Sequence, residues 1–318
     1  MPRYGLVRNE IGRDTNSFED FREFENSVLA DPEVVAIENG PITRRAYSII
    51  FKLYRRLGRS LGLRPPFQLP NNSSFDWRIA ILGGLAFRRC PNFVFNGKKA
   101  AYLFDSFEPW TSAENIKRFV EDAGISVLFV SHPDCADELD SLIETCRVYY
   151  IPEGADPDGY QADAPKTIDL IAFGRKNYPY HNALLKELDP KIVYQCGWLD
   201  TREDFLDALA ASKIVINFPR NMTEDNCEIE MLTMRYFQAM GTKSILLGHC
   251  PKLLKDLCGY DPVIEVDMQN PGAQAQDILD NYEDYTPLIE KNYKSFIQGH
   301  TFSHRWNRMK QVLEETPS

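Results

Sequence analysis

The sequence predicts an α/β fold of two domains, each built on a parallel sheet, and three observations lead there. The chain is 318 residues long, near twice the common domain size. Its strand-length apolar runs are continuous rather than alternating, the pattern of strands covered on both faces. Segments of helical period separate those runs so regularly that the connections read as right-handed crossovers between parallel strands.

In chain order, residues 32–38 (PEVVAIE) form a short apolar stretch, and a helical pattern follows over 42–63. Residues 79–86 (IAILGGLA), 100–105 (AAYLFD) and 125–131 (ISVLFVS) read as buried strands. A helix over 112–123 lies between the last two and stops at Gly124. A second helix, 134–146, leads to a strand at 147–151. Turn formers then crowd residues 152–159 (PEGADPDG), which marks a hinge.

Beyond the hinge the alternation restarts with strand 168–173, helix 181–188, strand 191–195, helix 203–211 and strand 213–218. It continues through helix 229–240, strand 244–248, helix 251–258, strand 262–266 and helix 272–282, and closes in a helical stretch over 285–315. The expectation is therefore two Rossmann-like domains with parallel sheets facing a cleft. They divide as 1–152, 153–300, and a terminal helix in 301–318 that packs back on the first domain. Ligands in such sheets bind beyond the carboxyl ends of the strands. That singles out the loops after residues 105, 131, 173, 195, 218 and 248.

Composition narrows the function classes. A hydrophobic fraction of 43% and an aromatic fraction of 12% supply a packed core. A net charge of −10 argues against a general nucleic-acid binder. The seven cysteines form no C-x-x-C pair and have no histidine at metal-ligand spacing, so they read as reduced thiols and no metal is expected. The first residues lack the apolar core of a signal peptide, and no run is long enough to span a bilayer, which points to a cytoplasmic protein. G-x-x-x-x-G-K-[ST] and G-x-G-x-x-G are both absent.

Three stretches, taken in order, resemble the group-1 glycosyltransferases of GT-B fold, especially their spore-maturation-protein-like branch. They are VLFVSHPDCADEL…VYYIPEGADPDGY (128–160), IDLIAFGRKNYPYHNALLKEL (168–188) and KIVINFPRNMTEDNCEIEMLTMRYFQAMGTKSILL (213–247). The third is similar to the family's "E-x7-E-A-M-x-x-G" donor segment. The resemblance implies a nucleotide-diphosphate sugar as co-substrate, no metal, and a role in polysaccharide biosynthesis. It also implies that Glu230 lies near the sugar and that Gln238 stands where the family's second Glu holds the ribose. A Gln amide cannot supply a carboxylate's charge-assisted bond, so ribose binding differs here.

The donor-site candidates follow from charge chemistry. A helix N-terminus offers free N–H groups and a positive dipole end to a diphosphate, and the loop 226–233 feeding the 229–240 helix fits that role. Gly174 at a strand end lets backbone approach a phosphate, while Arg175, Lys176 and Arg235 supply cations. Tyr194 and Trp198 can stack on a base or pack the core. Asn217 and Thr233 are polar groups placed to touch donor or helix terminus. Glu228 and Glu230 equally suit first-turn acids of a helix capped by Asn226.

On the N-terminal side, His132 and Asp105 end strands, and either can act as the base that an inverting transferase needs; a turn or capping role is the alternative. Residues 44–64 hold Arg44, Arg45, Lys52, Arg55, Arg56, Arg59 and Arg64 without an acid, and Ile49, Ile50, Leu53, Leu57 and Leu61 at helical spacing. Such a basic amphipathic helix suits peripheral contact with the inner face of a membrane carrying a lipid-linked acceptor, or a solvated face on the first sheet. Three function classes stay open: a glycosyltransferase acting on a glycan, lipid-linked or other hydroxyl acceptor, a nucleotide-sugar epimerase, and a non-catalytic nucleotide-sugar-binding module.

Overall fold

The computed structural model describes residues 3–8, 19–37, 49, 53, 56, 57, 75–83, 97–104, 112–197, 199, 201–223 and 227–316. The chain divides into two compact units, one of Met1–Pro152 with Phe302–Ser318 and one of Glu153–Thr301.

The first unit carries a six-stranded sheet in the order β2-β1-β3-β4-β5-β6. Its strands are β1 (Tyr4–Val7), β2 (Val34–Ile37), β3 (Trp77–Gly83), β4 (Lys98–Phe104), β5 (Val127–Val130) and β6 (Arg147–Tyr150). Every pairing is parallel. Helices α1 (Glu19–Leu29), α2 (Ala113–Ala123) and α3 (Pro133–Leu142) pack on it, and α10 (Phe302–Glu315) returns to the same unit. Phe302 stacks on Phe24 at 4.6 Å, and Trp306 donates to Asp31 at 3.0 Å.

The second unit carries a five-stranded, wholly parallel sheet in the order β11-β10-β9-β7-β8. Its strands are β7 (Ile168–Ala172), β8 (Tyr194–Cys196), β9 (Ser212–Asn217), β10 (Ile245–Gly248) and β11 (Ile264–Glu265). Its helices are α4 (Tyr178–Glu187), α5 (Arg202–Ala210), α6 (Met234–Gly241), α7 (Lys252–Cys258), α8 (Pro271–Asp280) and α9 (Thr286–Gly299). Two apolar clusters, one around Ile171, Val215 and Leu246 and the other around Leu170, Ile214 and Ile245, cover the two sheet faces. That two-sided burial is why these strands read as continuous apolar runs.

The expected fold class, two α/β units with parallel sheets, is the observed one. Four details differ. β1 and α1 were not expected, because the amino-terminal residues read as polar; four buried residues suffice for a strand with partners on both sides. The helix expected from 229 begins only at Met234. The one expected over 134–146 ends at Leu142. The closing stretch 285–315 is two helices, parted at His300–Thr301 where Thr301 bridges to Ala155.

Candidate functional site

Strand order locates the site. From β7 the chain steps to β8 on one side, then crosses to β9 on the other, so the order reverses between β7 and β9. Outside the carboxyl ends at such a reversal the flanking loops part and leave a crevice. Gly174 follows β7, Asn217 ends β9 and Gly248 ends β10.

Gly174 has φ +74, and a Cβ there would lie 2.8 Å from the Arg235 guanidinium carbon. Glycine takes the left-handed backbone without strain, and a Cβ there would push the guanidinium aside. Arg235, the second residue of α6, is held over the loop by its bond to the Phe173 carbonyl (3.4 Å) and its place above the Phe173 ring (5.8 Å). Two residues far apart in sequence are thereby joined into one cationic corner at the end of β7. Asn177 caps α4 and donates to the Met222 carbonyl at 2.9 Å, tying the loops after β7 and β9 together.

The start of α6 is not the open anion site expected of it. The Glu153 carboxylate, 4% exposed, accepts the Met234 amide at 2.8 Å, so a protein acid already occupies part of the helix terminus. Thr233 is the N-cap but makes no side-chain cap bond, and its Oγ1 is buried without a partner among the described residues. Asn226, the cap expected from sequence, lies outside the described residues. Glu228 and Glu230 precede the helix and are not first-turn acids. Between Glu230 and Thr233, Met231 and Leu232 go into the core.

Glu230 instead joins a bridged cluster. His249, directly after β10, has Nε2 3.0 Å from Glu230 Oε1 and Nδ1 2.9 Å from Glu265 Oε1. The second Glu230 oxygen accepts the Lys252 amide at 2.7 Å. Burial by itself would lower the His249 pKa, but the carboxylates of Glu265 and Glu230 outweigh it and the net shift is upward. A Cβ on Gly248 would lie 1.7 Å from the Asn217 carbonyl oxygen, so this tight crossing of β9 and β10 demands glycine and sets where His249 begins. Asn217 is 2% exposed, and its Nδ2 has no hydrogen-bond partner among the described residues.

The other expected residues fall elsewhere. Arg175 is exposed and Lys176 half-buried in the same loop as Gly174. Tyr194 pairs with His181, its hydroxyl 2.8 Å from Nδ1, and burial raises its pKa; Lys176 adds to the burial that lowers the pKa of His181. The Tyr194 hydroxyl is thus tied to His181 at the β8 edge, with the ring half-buried. Gln238 is buried at 2% exposure one turn into α6. Because Glu230 precedes the helix, the two do not share a helix face.

His132 caps α3, its Nδ1 accepting the Asp134 amide at 3.3 Å. That bond uses the acceptor nitrogen a general base needs. Asp105, Trp198 and most of 44–64 lie outside the described residues; Ile49, Leu53, Arg56 and Leu57 of that segment are helical and exposed. Among the described residues no three His, Cys, Asp or Glu side chains are grouped to hold a metal, and no helix is long and apolar enough to cross a membrane.

Sequence reasoning did not single out His249, Glu265 or Glu153. The signal for His249 was present, a histidine straight after a glycine-ended strand. Glu153 and Glu265 are brought in only by the tertiary fold.

Residues 163–311 match the model of a family described as glycosyl transferase-like. No curated protein matches the chain. Among solved structures it is similar to Anabaena HepE in complex with UDP-glucose, at 10% identity and a TM-score of 0.60, covering 98% of this chain and 99% of that one. It is also similar to sucrose-phosphate synthase from Thermosynechococcus elongatus, at 10% identity and a TM-score of 0.56, covering 98% of each chain. An α-glucosyltransferase in complex with UDP and DNA gives 10% identity and a TM-score of 0.58, again covering 98% of each. At these identities the likeness is one of fold.

Proposed function

We propose that this chain is a glycosyltransferase that takes a nucleotide-diphosphate sugar at the carboxyl edge of the second sheet and transfers the sugar to a hydroxyl of a glycan or lipid-linked acceptor. The observation that carries this reading is the Arg235 guanidinium set over Gly174 at the strand-order reversal. A diphosphate there meets a planar, permanently charged donor fork and a backbone without a Cβ. As the sugar leaves, charge grows on the diphosphate, and a cation already in position stabilises it without reorganisation.

Glu230, with one lone pair of each oxygen engaged, keeps the others for hydroxyls of the donor sugar. Lys176 and Arg175 add positive potential to the same loop, and Asn217 Nδ2 and Thr233 Oγ1 supply unspent polar groups. The glycosyl transferase-like match over 163–311 and the nucleotide-bound neighbours support the same assignment. The ordered resemblance of 128–160, 168–188 and 213–247 supports the spore-maturation-protein-like branch as the finer reading, with Gln238 a departure from the family pattern. No step in this chemistry calls for a metal.

One observation favours a second reading. Buried Gln238 stands where a carboxylate is expected, which suits a module that binds a nucleotide sugar without turning it over. A panel of UDP-, GDP-, ADP- and dTDP-sugars, assayed for hydrolysis and transfer with wild type and Glu230→Ala, separates the two. Turnover by wild type that Glu230→Ala loses supports the transferase; binding without turnover on every acceptor supports the module; no binding overturns both.

A further inference from the structure

We propose that His249 is a positioning residue for the donor site, holding the Glu230 carboxylate in a fixed plane by bridging it to Glu265. The inference rests on the glycosyltransferase reading and adds to it a residue that the sequence pattern does not contain.

The geometry has three anchors. The backbone of His249 is pinned because its amide donates to the Asn217 carbonyl at 3.2 Å and its own carbonyl accepts the Tyr236 hydroxyl at 2.8 Å. Both ring nitrogens then face carboxylates, at 3.0 Å and 2.9 Å. The Lys252 amide fixes the far oxygen of Glu230 at 2.7 Å, so two donors from the short turn between β10 and α7 define the carboxylate plane. Glu230 itself lies in an irregular stretch ahead of α6, where no helix or strand would orient it.

The bridge depends on a proton. An imidazolium donates from both nitrogens, whereas a neutral imidazole has one N–H and must release one of the two carboxylates. The charged groups that act on the ring are Glu265 of β11 and Glu230; Arg235 and Cys250 act on the neighbouring Tyr236 hydroxyl, which donates to the His249 carbonyl, and Lys252 meets Glu230 through its backbone amide. The two carboxylates hold the proton on the ring above its ordinary range, against the burial that opposes it. Donor recognition through Glu230 should therefore weaken on the alkaline side as the bridge opens.

The test measures KM and kcat against pH with the UDP-, GDP-, ADP- and dTDP-glucose panel for wild type, His249→Ala, His249→Gln and Glu265→Gln. Proton NMR of the His249 ring, in wild type and Glu230→Gln, is followed over the same range. We expect His249→Ala to raise the donor KM about tenfold, the loss of one charge-assisted bond. The alkaline rise of KM should vanish with it, and His249→Gln, which still donates once, should restore part of the affinity. The ring should titrate lower in Glu230→Gln than in wild type.

An unchanged pH profile of KM in a folded His249→Ala that still turns over donor overturns the positioning role alone. A ring that titrates identically in Glu230→Gln overturns the bridge itself. If wild type binds no nucleotide sugar, the positioning role falls together with the transferase reading.

Discussion

The two edges of the second sheet use polar residues in opposite ways. At the amino edge, Lys166 donates to the carbonyls of Ala210 (2.8 Å) and Thr242 (2.7 Å) and to Ser244 Oγ (3.3 Å). Ser244 donates to the Ser212 carbonyl at 2.8 Å, and Thr242 Oγ1 reaches the Gln238 and Ala239 carbonyls at 3.2 Å. Every donor in that knot is used on a neighbour. At the carboxyl edge, Asn217 Nδ2 and Thr233 Oγ1 are buried without partners among the described residues, and charges gather at Arg235, Glu230, His249 and Glu265. Buried polar groups are ordinarily satisfied, so one edge reads as stabilisation and the other as preparation for a ligand.

Substitutions can break or sharpen that contrast. Gly248→Ala should have the largest effect: its Cβ lies 1.7 Å from a backbone oxygen, so β9 and β10 must part, at a cost of about 3 kcal/mol or more. Urea unfolding measures it, and donor binding should fall along with stability. Lys166→Met should cost about 2–4 kcal/mol of stability, because carbonyls at the amino edge lose their donor, yet leave nucleotide-sugar affinity as it was. A Lys166→Met protein that stays folded but binds donor poorly would break the contrast.

Arg235→Ala should do the reverse. Affinity should drop about 10–100-fold, the worth of about 1.5–3 kcal/mol for a hydrogen bond to a charged group, with little change in the unfolding midpoint. Gly174→Ala combines a backbone cost of about 1–2 kcal/mol for the left-handed conformation with displacement of the guanidinium. It should therefore weaken both stability and binding, each modestly.

The smallest effect is a difference in pH response. The fold raises the His249 pKa, so its contribution is complete below the ordinary value of 6.5 and is lost as pH climbs through the raised value. Burial, followed by the charge of Lys243, lowers Lys166 to about 8 from 10.5. The unfolded chain therefore holds more protons across that window, and stability rises there with pH. Unfolding free energies measured from neutral to alkaline pH should lose the fall in His249→Gln and the rise in Lys166→Met.

The amino-acid sequence made the strands of the second sheet legible because two-sided burial leaves an uninterrupted apolar signature, as in 168–173 and 213–218. Gly174 and Arg235 were each visible as candidates, one by its strand-end place and the other by its charge. Their contact was not visible, since 61 residue positions separate them along the chain (235 − 174) and only the sheet brings them together. The start of α6 was misplaced because its first amide is satisfied by Glu153, a tertiary partner that no local pattern encodes. For the same reason Glu228 and Glu230 also suited first-turn acids, when Glu230 precedes the helix and is held by a histidine from beyond β10. β1 escaped notice because its stability comes from two neighbours rather than from its own length.

In the proposed function Arg235, set over Gly174, receives the diphosphate of a nucleotide sugar. Phosphorus NMR tests it directly, by titrating wild type and Arg235→Ala into UDP-, GDP-, ADP- and dTDP-glucose and following the two phosphate resonances. At least one donor should show shifted or broadened diphosphate signals with wild type and far weaker changes with the variant. Signals unmoved by wild type for every donor, or moved equally by Arg235→Ala, would contradict it.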